Sequence, residues 1–103
     1  MAVTLTATLF GFGSYFAKGP GVPNDIDLLV IHRIVSRDSI DFAISCKKLI
    51  QSMIPAAHVV MLSDGEESEL EFLRRSGAVH LAEIEDGRAS EQIEALSKSF
   101  AHL

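Results

Sequence analysis

Hydrophobic and polar residues alternate at the start of the chain and then give way to a segment rich in glycine and proline. From Val3 to Phe12, apolar residues alternate with threonines, and this period of two with β-branched side chains is typical of a strand. Glycines and prolines at positions 11–23 predict a loop, with one helical turn at positions 14–18. The centre of Asp25–His32 is continuously apolar, which predicts a second strand that is buried on both faces of a sheet.

Apolar residues recur at helical spacing in the middle of the chain and predict a helix from Asp38 to Ile54. Pro55 ends this helix, because proline lacks the backbone N–H that a helix interior needs. The residues expected to line its apolar side are Ile40, Ala43, Ile44, Ile50 and Ile54, widened by Phe42, Cys46, Leu49 and Met53. The apolar run Ala57–Leu62 then predicts a third strand.

The C-terminal part of the chain predicts two more helices and a strand. Ser63 and Glu66 have the spacing of a capping box, so a helix is expected to begin there and to end at Gly77. Ala78–Ile84 predicts a short fourth strand, and Asp86 is the expected N-cap of a last helix. The apolar residues of that helix are Ala89, Ile93, Leu96, Phe100 and Leu103, which face either the core or a dimer contact. Strands that alternate with helices predict an α/β (α+β) fold of a sheet with helices packed on it.

Composition and charge narrow the class of protein. The chain has 103 residues, 48% of them apolar, which predicts one domain over residues 1–103 and excludes a disordered chain. Its net charge of −5 argues against general binding to nucleic acid. The lone Cys46 cannot form an intramolecular disulfide, which favours a reducing compartment. The chain lacks an apolar run of about 20 residues and a basic signal region, so a soluble, cytoplasmic protein without a membrane partner is expected.

Two acidic residues at the start of the second strand are candidate metal ligands. Asp25 and Asp27 are separated by one residue, so in a strand their side chains point to the same face. Like charges held together destabilise each other, unless a divalent cation lies between them. Oxygen ligands from few protein side chains suit Mg²⁺ or Mn²⁺, which substrate phosphates would help to bind.

The segment before this acidic pair is a candidate phosphate-binding site. Gly13 and Ser14 follow a strand and are expected to open a helical turn, whose free backbone N–H groups bind phosphate oxygens. The Ser14 hydroxyl adds a donor, and Lys18, about one turn further on, is placed to neutralise a phosphate. A dinucleotide-binding fingerprint is excluded because its third small residue would be Phe16, and no Walker-type Gly-Lys-Ser/Thr sequence occurs.

The spacing of these residues resembles a known family. Gly13-Ser14, ten intervening residues and then Asp25-Ile26-Asp27 in an apolar strand resemble the signature of the DNA polymerase beta-type nucleotidyltransferase superfamily, especially its minimal nucleotidyltransferases. Lys18 and Gly19 lie where those proteins usually carry Arg-Gly. The resemblance covers about residues 9–30, and the remaining chain agrees in its order of strands and helices.

The resemblance implies a fold, a reaction and roles for the site residues. The fold would be a nucleotidyltransferase-like mixed β-sheet of about four strands with helices packed on it. Gly13 and Ser14 would hold the triphosphate of a nucleotide (NTP), most often ATP. Asp25 and Asp27 would bind two divalent ions that activate an attacking hydroxyl and stabilise the departing pyrophosphate. The protein would transfer a nucleoside monophosphate to a hydroxyl acceptor, chiefly by positioning and charge neutralisation.

One departure from the family pattern opens alternatives. The family supplies a third carboxylate from a later strand, whereas Ala57–Leu62 contains no acid and has His58 at about that place. His58 is either a substitute for the third acid or an ordinary residue at a strand start. Minimal nucleotidyltransferases often pair with a helical protein, including in toxin–antitoxin modules. A helical partner or a homo-oligomer is therefore expected, and a degenerate binding module or a nucleotide sensor is the alternative to an enzyme.

Overall fold

Four strands form one mixed sheet in the computed structural model, which describes residues 5–13, 16, 26–33 and 36–100. The strands are β1 (Thr6–Phe12), β2 (Ile26–His32), β3 (Ala57–Ser63) and β4 (Val79–Glu85). The helices of the described residues are α1 (Arg37–Met53), α2 (Asp64–Leu70), α3 (Phe72–Ser76) and α4 (Ala89–Ser99). The predicted mixed α+β architecture of about four strands with packed helices is confirmed.

The order of strands in the sheet is β3-β2-β1-β4. β1 lies in the centre and pairs antiparallel with both β2 and β4. β2 and β3 are parallel, as a strand–helix–strand connection through α1 requires, because parallel neighbours need a crossover. This arrangement brings the end of β1 beside the start of β2 and the start of β3.

One face of the sheet, called the covered face below, carries the main core. Leu9, Ile26 and Leu28 point to this face and are fully buried beneath α1 and α4. Ile93 and Phe100 belong to the same core, so this part of the predicted apolar stripe packs on its own chain, while Leu103 lies outside the described residues. The predicted burial of Ile44 is wrong, since it is 38% exposed. The buried residues of α1 are Ser39, Phe42, Ala43, Cys46 and Ile50, which follow helical spacing and leave Ile44 on the rim.

The opposite face, called the site face below, has a smaller cover. Leu29, Ile31 and Leu62 form its buried cluster, with Phe72 and Leu73 of α3 packed against them. His58 and Val60 of β3 point to the same face and stay exposed. Two short helices therefore cover only part of the site face.

The capping box that opens α2 is confirmed. The Ser63 N–H donates to Glu66 Oε1 at 2.9 Å, and the Glu66 N–H donates to Ser63 Oγ at 3.1 Å. Hydrogen bonding to Ser63 lowers the pKa of the Glu66 carboxyl below its usual value, and the largest contribution comes from the Ser63 backbone N–H. The helix begins where the sequence predicted.

The single helix predicted between Ser63 and Gly77 is divided in two at Glu71. Glu71 has a left-handed backbone (φ 50°), and its N–H donates to the Glu67 carbonyl at 2.7 Å. The break lets Phe72 pack edge-to-face on Phe12, with ring centroids 5.0 Å apart. Gly77 ends α3 in a left-handed conformation, as expected.

The predicted N-cap of the last helix is wrong. The N-cap of α4 is Arg88, which makes no side-chain capping hydrogen bond, while the N–H of Asp86 donates to the Leu5 carbonyl at 2.9 Å. Gln92 instead ties α4 to β4, because its amide donates to the Glu83 carbonyl and accepts from the Glu85 N–H, both at 2.8 Å. Asp86 thus closes the turn after β4 rather than opening the helix.

Candidate functional site

Three of the six predicted site residues fall on the described chain: Gly13, Asp27 and His58. Ser14, Lys18 and Asp25 lie outside the described residues, as does the predicted helical turn at positions 14–18 apart from Phe16. The described part of the candidate site consists of Gly13, Asp27, His58 and the side chains around them.

Strand register brings Asp27 and His58 side by side. Asp27 is the register partner of Phe12 in the antiparallel β1–β2 pair and of His58 in the parallel β2–β3 pair. Neighbouring strands lie about 4.8 Å apart, so side chains of register partners on one face are neighbours. A row of three side chains, Phe12, Asp27 and His58, therefore crosses the sheet where β1 ends and β2 and β3 begin.

This row lies on the site face. Along β2, Asp27 alternates with the covered-face residues Ile26 and Leu28, and along β3 His58 alternates with Ala57 and Val59. Asp27 is half-buried and His58 is exposed. The carboxylate is thus packed against protein on one side while the imidazole next to it is open to solvent.

Gly13 leaves space for the Asp27 carboxylate. Its backbone is left-handed (φ +81°), and a Cβ added there would collide with Asp27 Oδ2 and lie 3.3 Å from Cγ. Only a glycine adopts this conformation easily and lets a carboxylate oxygen lie directly against the main chain. A glycine is therefore needed at position 13 for a second reason besides phosphate binding, because a larger residue would displace the Asp27 carboxylate.

Phe16 is a positioning residue that the sequence did not single out. A Cβ built on Gly11 would be almost equally close to Cε1, Cζ and Cε2 of Phe16, so Gly11 faces the flat side of that ring. The ring also packs edge-to-face on Phe100, with centroids 6.1 Å apart. The only local signal was Gly11 itself, since a glycine inside a strand often marks a close approach. Phe16 thereby anchors the chain beyond β1 to the core.

Aromatic rings flank the row on the β1 side. Phe12 packs on Phe72 of α3, and Phe10 packs edge-to-face on His80 of β4 with ring centroids 5.5 Å apart. Phe10 and Phe12 are half-buried and belong to the site-face cluster. The row is therefore bordered by apolar rings toward β4 and open toward β3.

The described donors fit a divalent cation that has few protein ligands. Asp27 offers a carboxylate held by Gly13, and His58 offers an imidazole at the neighbouring register position. Within residues 5–13, 16, 26–33 and 36–100 no group of three or more His, Cys, Asp or Glu is arranged to hold a metal. A cation here would need further ligands from water, from substrate phosphates or from Asp25.

A groove elsewhere has the wrong charge for a nucleotide. It has a volume of about 650 Å³ and lies along the N-terminal half of α1. Three carboxylates line it, Asp38, Asp41 and Asp86. Because these charges repel phosphate oxygens and the three carboxylates are not arranged to hold a metal ion, the groove is unsuited to a triphosphate.

Cys46 does not take part in a site. It is fully buried on the covered face, and burial, followed by the negative charge of Asp86, raises the pKa of its thiol to about 11. A thiol that stays protonated at neutral pH is a poor nucleophile. The predicted place of Cys46 on the apolar side of α1 is confirmed.

No protein-family model, no curated protein and no solved structure matches the chain. No helix in the described part of the chain has the length and apolar character needed to cross a bilayer.

Proposed function

We propose that the protein is a metal-dependent, nucleotidyltransferase-like enzyme. It transfers a nucleoside monophosphate from an NTP, with ATP as the first candidate, to a hydroxyl carried by a partner protein or another acceptor. The observation that supports this proposal most is the close packing of Gly13 on the Asp27 carboxylate at the edge of β1 and β2. This chemistry requires a phosphate-binding turn next to a metal-binding carboxylate, and the contact of Gly13 with the Asp27 carboxylate supports such an arrangement.

Each residue of the site has a distinct task in this proposal. Asp27, together with Asp25, would hold Mg²⁺ or Mn²⁺, which when bound supplies charge neutralisation at the transferring phosphate. Gly13 keeps side-chain atoms away from the phosphates and offers its backbone N–H to them. Ser14 and Lys18 would add a hydroxyl donor and a positive charge. The protein's contribution is positioning and electrostatic stabilisation, without a covalent intermediate.

A second candidate function is binding without turnover. The first residues of β3 carry His58 and no carboxylate, whereas transfer chemistry in the resembled family uses a third acid there. The exposed part of the site face, with Val60 38% exposed, would then dock on a helical partner, as in an antitoxin, or the site would bind a nucleotide as a sensor. This candidate differs from the first in one measurable way, which is the release of pyrophosphate.

The experiment that tests the proposal is a titration of the purified protein with ATP, with Mg²⁺ and then with Mn²⁺, followed by an assay for pyrophosphate. We expect metal-dependent ATP binding that is lost in the double variant Asp25→Asn/Asp27→Asn. Asp38→Asn/Asp41→Asn is the matched control, because it removes the same charge from the acidic groove and should leave binding intact.

The outcomes separate the two candidates. Binding that persists in the Asp25→Asn/Asp27→Asn variant would show that the site is assigned to the wrong residues. Binding in the wild type without pyrophosphate release, across a panel of hydroxyl acceptors and partner proteins, would favour the sensor or binding module. Binding with release would establish the enzyme.

A further inference from the structure

Of the two described register partners of Asp27, His58 alone has a donor side chain, and the reaction proposed above does not use it. The two residues are register partners in the parallel β2–β3 pair and share the site face. The neighbouring position on the other side of Asp27 is taken by Phe12, which has no ligand atom. A cation on the Asp27 carboxylate that gains a second side-chain ligand from a described register partner of Asp27 therefore gains it from His58.

The geometry allows both side chains to reach one ion. Strands in a sheet are about 4.8 Å apart, and metal–oxygen and metal–nitrogen bonds are about 2.0–2.2 Å long. Two ligands on neighbouring strands can therefore bridge a single ion between them. Asp27 lies against Gly13, and His58 lies at the neighbouring register position on the same face, where it is exposed to solvent.

The chemistry of the pair discriminates between cations. Mg²⁺ prefers hard oxygen ligands and parts reluctantly with its water, whereas Mn²⁺, which also favours oxygen ligands, is a first-row transition ion that accepts an imidazole nitrogen more readily than Mg²⁺ does. A site made of two carboxylates would favour Mg²⁺, whereas a site made of one carboxylate and one imidazole shifts the preference toward Mn²⁺. A site made by Asp27 and His58 should thus take Mn²⁺ better than Mg²⁺.

We propose that His58 is a metal ligand that sets the cation preference of this site, so that it selects Mn²⁺ over Mg²⁺. The inference rests on the proposed function in taking Asp27 as a metal ligand, and it names the cation that the site uses. On the β1 side of the pair Phe12 packs on Phe72, whereas on the β3 side His58 is exposed, so among the described residues the pair is most open to solvent on the β3 side.

The test measures binding of the metal alone to the full chain, without nucleotide. Mn²⁺ affinity is measured by the loss of the free-ion electron paramagnetic resonance signal, and Mg²⁺ affinity by competition with Mn²⁺. We expect the wild type to prefer Mn²⁺ and His58→Val to lose about tenfold or more in Mn²⁺ affinity, since even outer-shell partners of metal ligands cost about 10–100-fold. His58→Asp should raise Mg²⁺ affinity and abolish the preference.

His80→Val is the matched control. His80 is also an exposed strand histidine on the site face, but its register partner is Phe10 rather than a carboxylate. Its replacement should leave both affinities unchanged. A measurement that needs no variant is paramagnetic broadening by Mn²⁺, which should reach the His58 imidazole resonances at lower metal concentration than those of His80.

The inference is overturned if the wild type shows no preference for Mn²⁺, or if His58→Val binds Mn²⁺ as the wild type does. Its failure is distinguishable from failure of the proposed function. Loss of the Mn²⁺ preference with intact metal-dependent ATP binding would refute only the role of His58. A His58-dependent Mn²⁺ site without ATP binding would refute only the nucleotidyltransferase.

Discussion

The two faces of the sheet differ in how completely they are covered. On the covered face, α1 and α4 bury Leu28 and Ile93 completely, and the Cys46 thiol is fully buried among them. On the site face, two short helices leave His58 and Val60 exposed beside the half-buried Asp27. The same strands therefore place residues that stabilise the fold on one side and residues that can bind a ligand on the other.

Adjacent residues of β3 show how closely the two roles are interleaved. Val59 is 8% exposed and Val60 is 38% exposed, although they are chain neighbours of the same type. Strand alternation alone separates them, because successive side chains point to opposite faces. A one-residue shift of β3 would exchange His58 with Val59 and remove the histidine from Asp27. Stability and the candidate site thus depend on the same register.

The largest expected effect tests whether the core on the covered face excludes water from the Cys46 thiol. The folded chain keeps the Cys46 thiol protonated up to a pKa of about 11, whereas the unfolded chain releases this proton near pH 9. The folded state binds more protons between these values, so stability is full below pH 9 and falls as the pH rises toward 11. The loss should reach about 2–3 kcal/mol in the free energy of unfolding.

Urea unfolding at several pH values from 8 to about 10.5 measures this slope. Cys46→Ala is the control, since it removes the thiol but leaves every other titrating group in place. Parallel pH profiles for the two proteins would contradict a dry covered face.

The next effect compares the two faces directly with one substitution on each. Val59→Ala removes two buried methyl groups and should lower the free energy of unfolding by about 2 kcal/mol. Val60→Ala removes the same atoms from a partly exposed position and should lower it by less than about 1 kcal/mol. Urea denaturation of both variants measures the difference. Equal losses would mean that the site face is as well packed as the covered face.

The smallest effect tests how Gly13 supports the site face. Gly13→Ala should cost about 1–2 kcal/mol for its left-handed backbone, and should also displace the Asp27 carboxylate. Gly87→Ala is the matched control, because Gly87 is also left-handed (φ +92°) but a Cβ there meets nothing within 4 Å. Thermal unfolding and metal binding should show a larger defect for Gly13→Ala, and the extra part should shrink when Asp27→Ala is added. Identical behaviour of the two glycine variants would mean that Gly13 does not position Asp27.

Most of the architecture could be predicted because its signals are local. Strand alternation in β1, the apolar centre of β2 and the capping box at Ser63 and Glu66 each depend on a few neighbouring residues. The division of the helix at Glu71 could not be predicted, since neither glycine nor proline marks it. The division is accompanied by a tertiary contact, the packing of Phe72 on Phe12. The prediction of Asp86 as an N-cap was wrong for a similar reason, because a tertiary hydrogen bond from the Asp86 N–H to the Leu5 carbonyl places this residue in the turn after β4.

The candidate site divides in the same way. The sequence pointed to Gly13 and Asp27 through their spacing, and to His58 through the missing acid, but their adjacency depends on strand register. Register between parallel strands is set by how the crossover helix packs, which no short motif encodes. The ring of Phe16 on Gly11 is likewise a contact between a loop residue and a strand, and local patterns do not report it.

The contact of Gly11 with Phe16 also gives the protein an internal spectroscopic reporter. An α-hydrogen of Gly11 faces the flat side of an aromatic ring, where the ring current moves its resonance upfield. Phe16 lies three residues beyond Gly13 in the chain, and its ring touches Phe100 at the end of α4. Any ligand that moves the chain beyond β1 would change this shift. The resonance of one glycine in the middle of the sheet therefore records what happens at the edge where Gly13 meets Asp27.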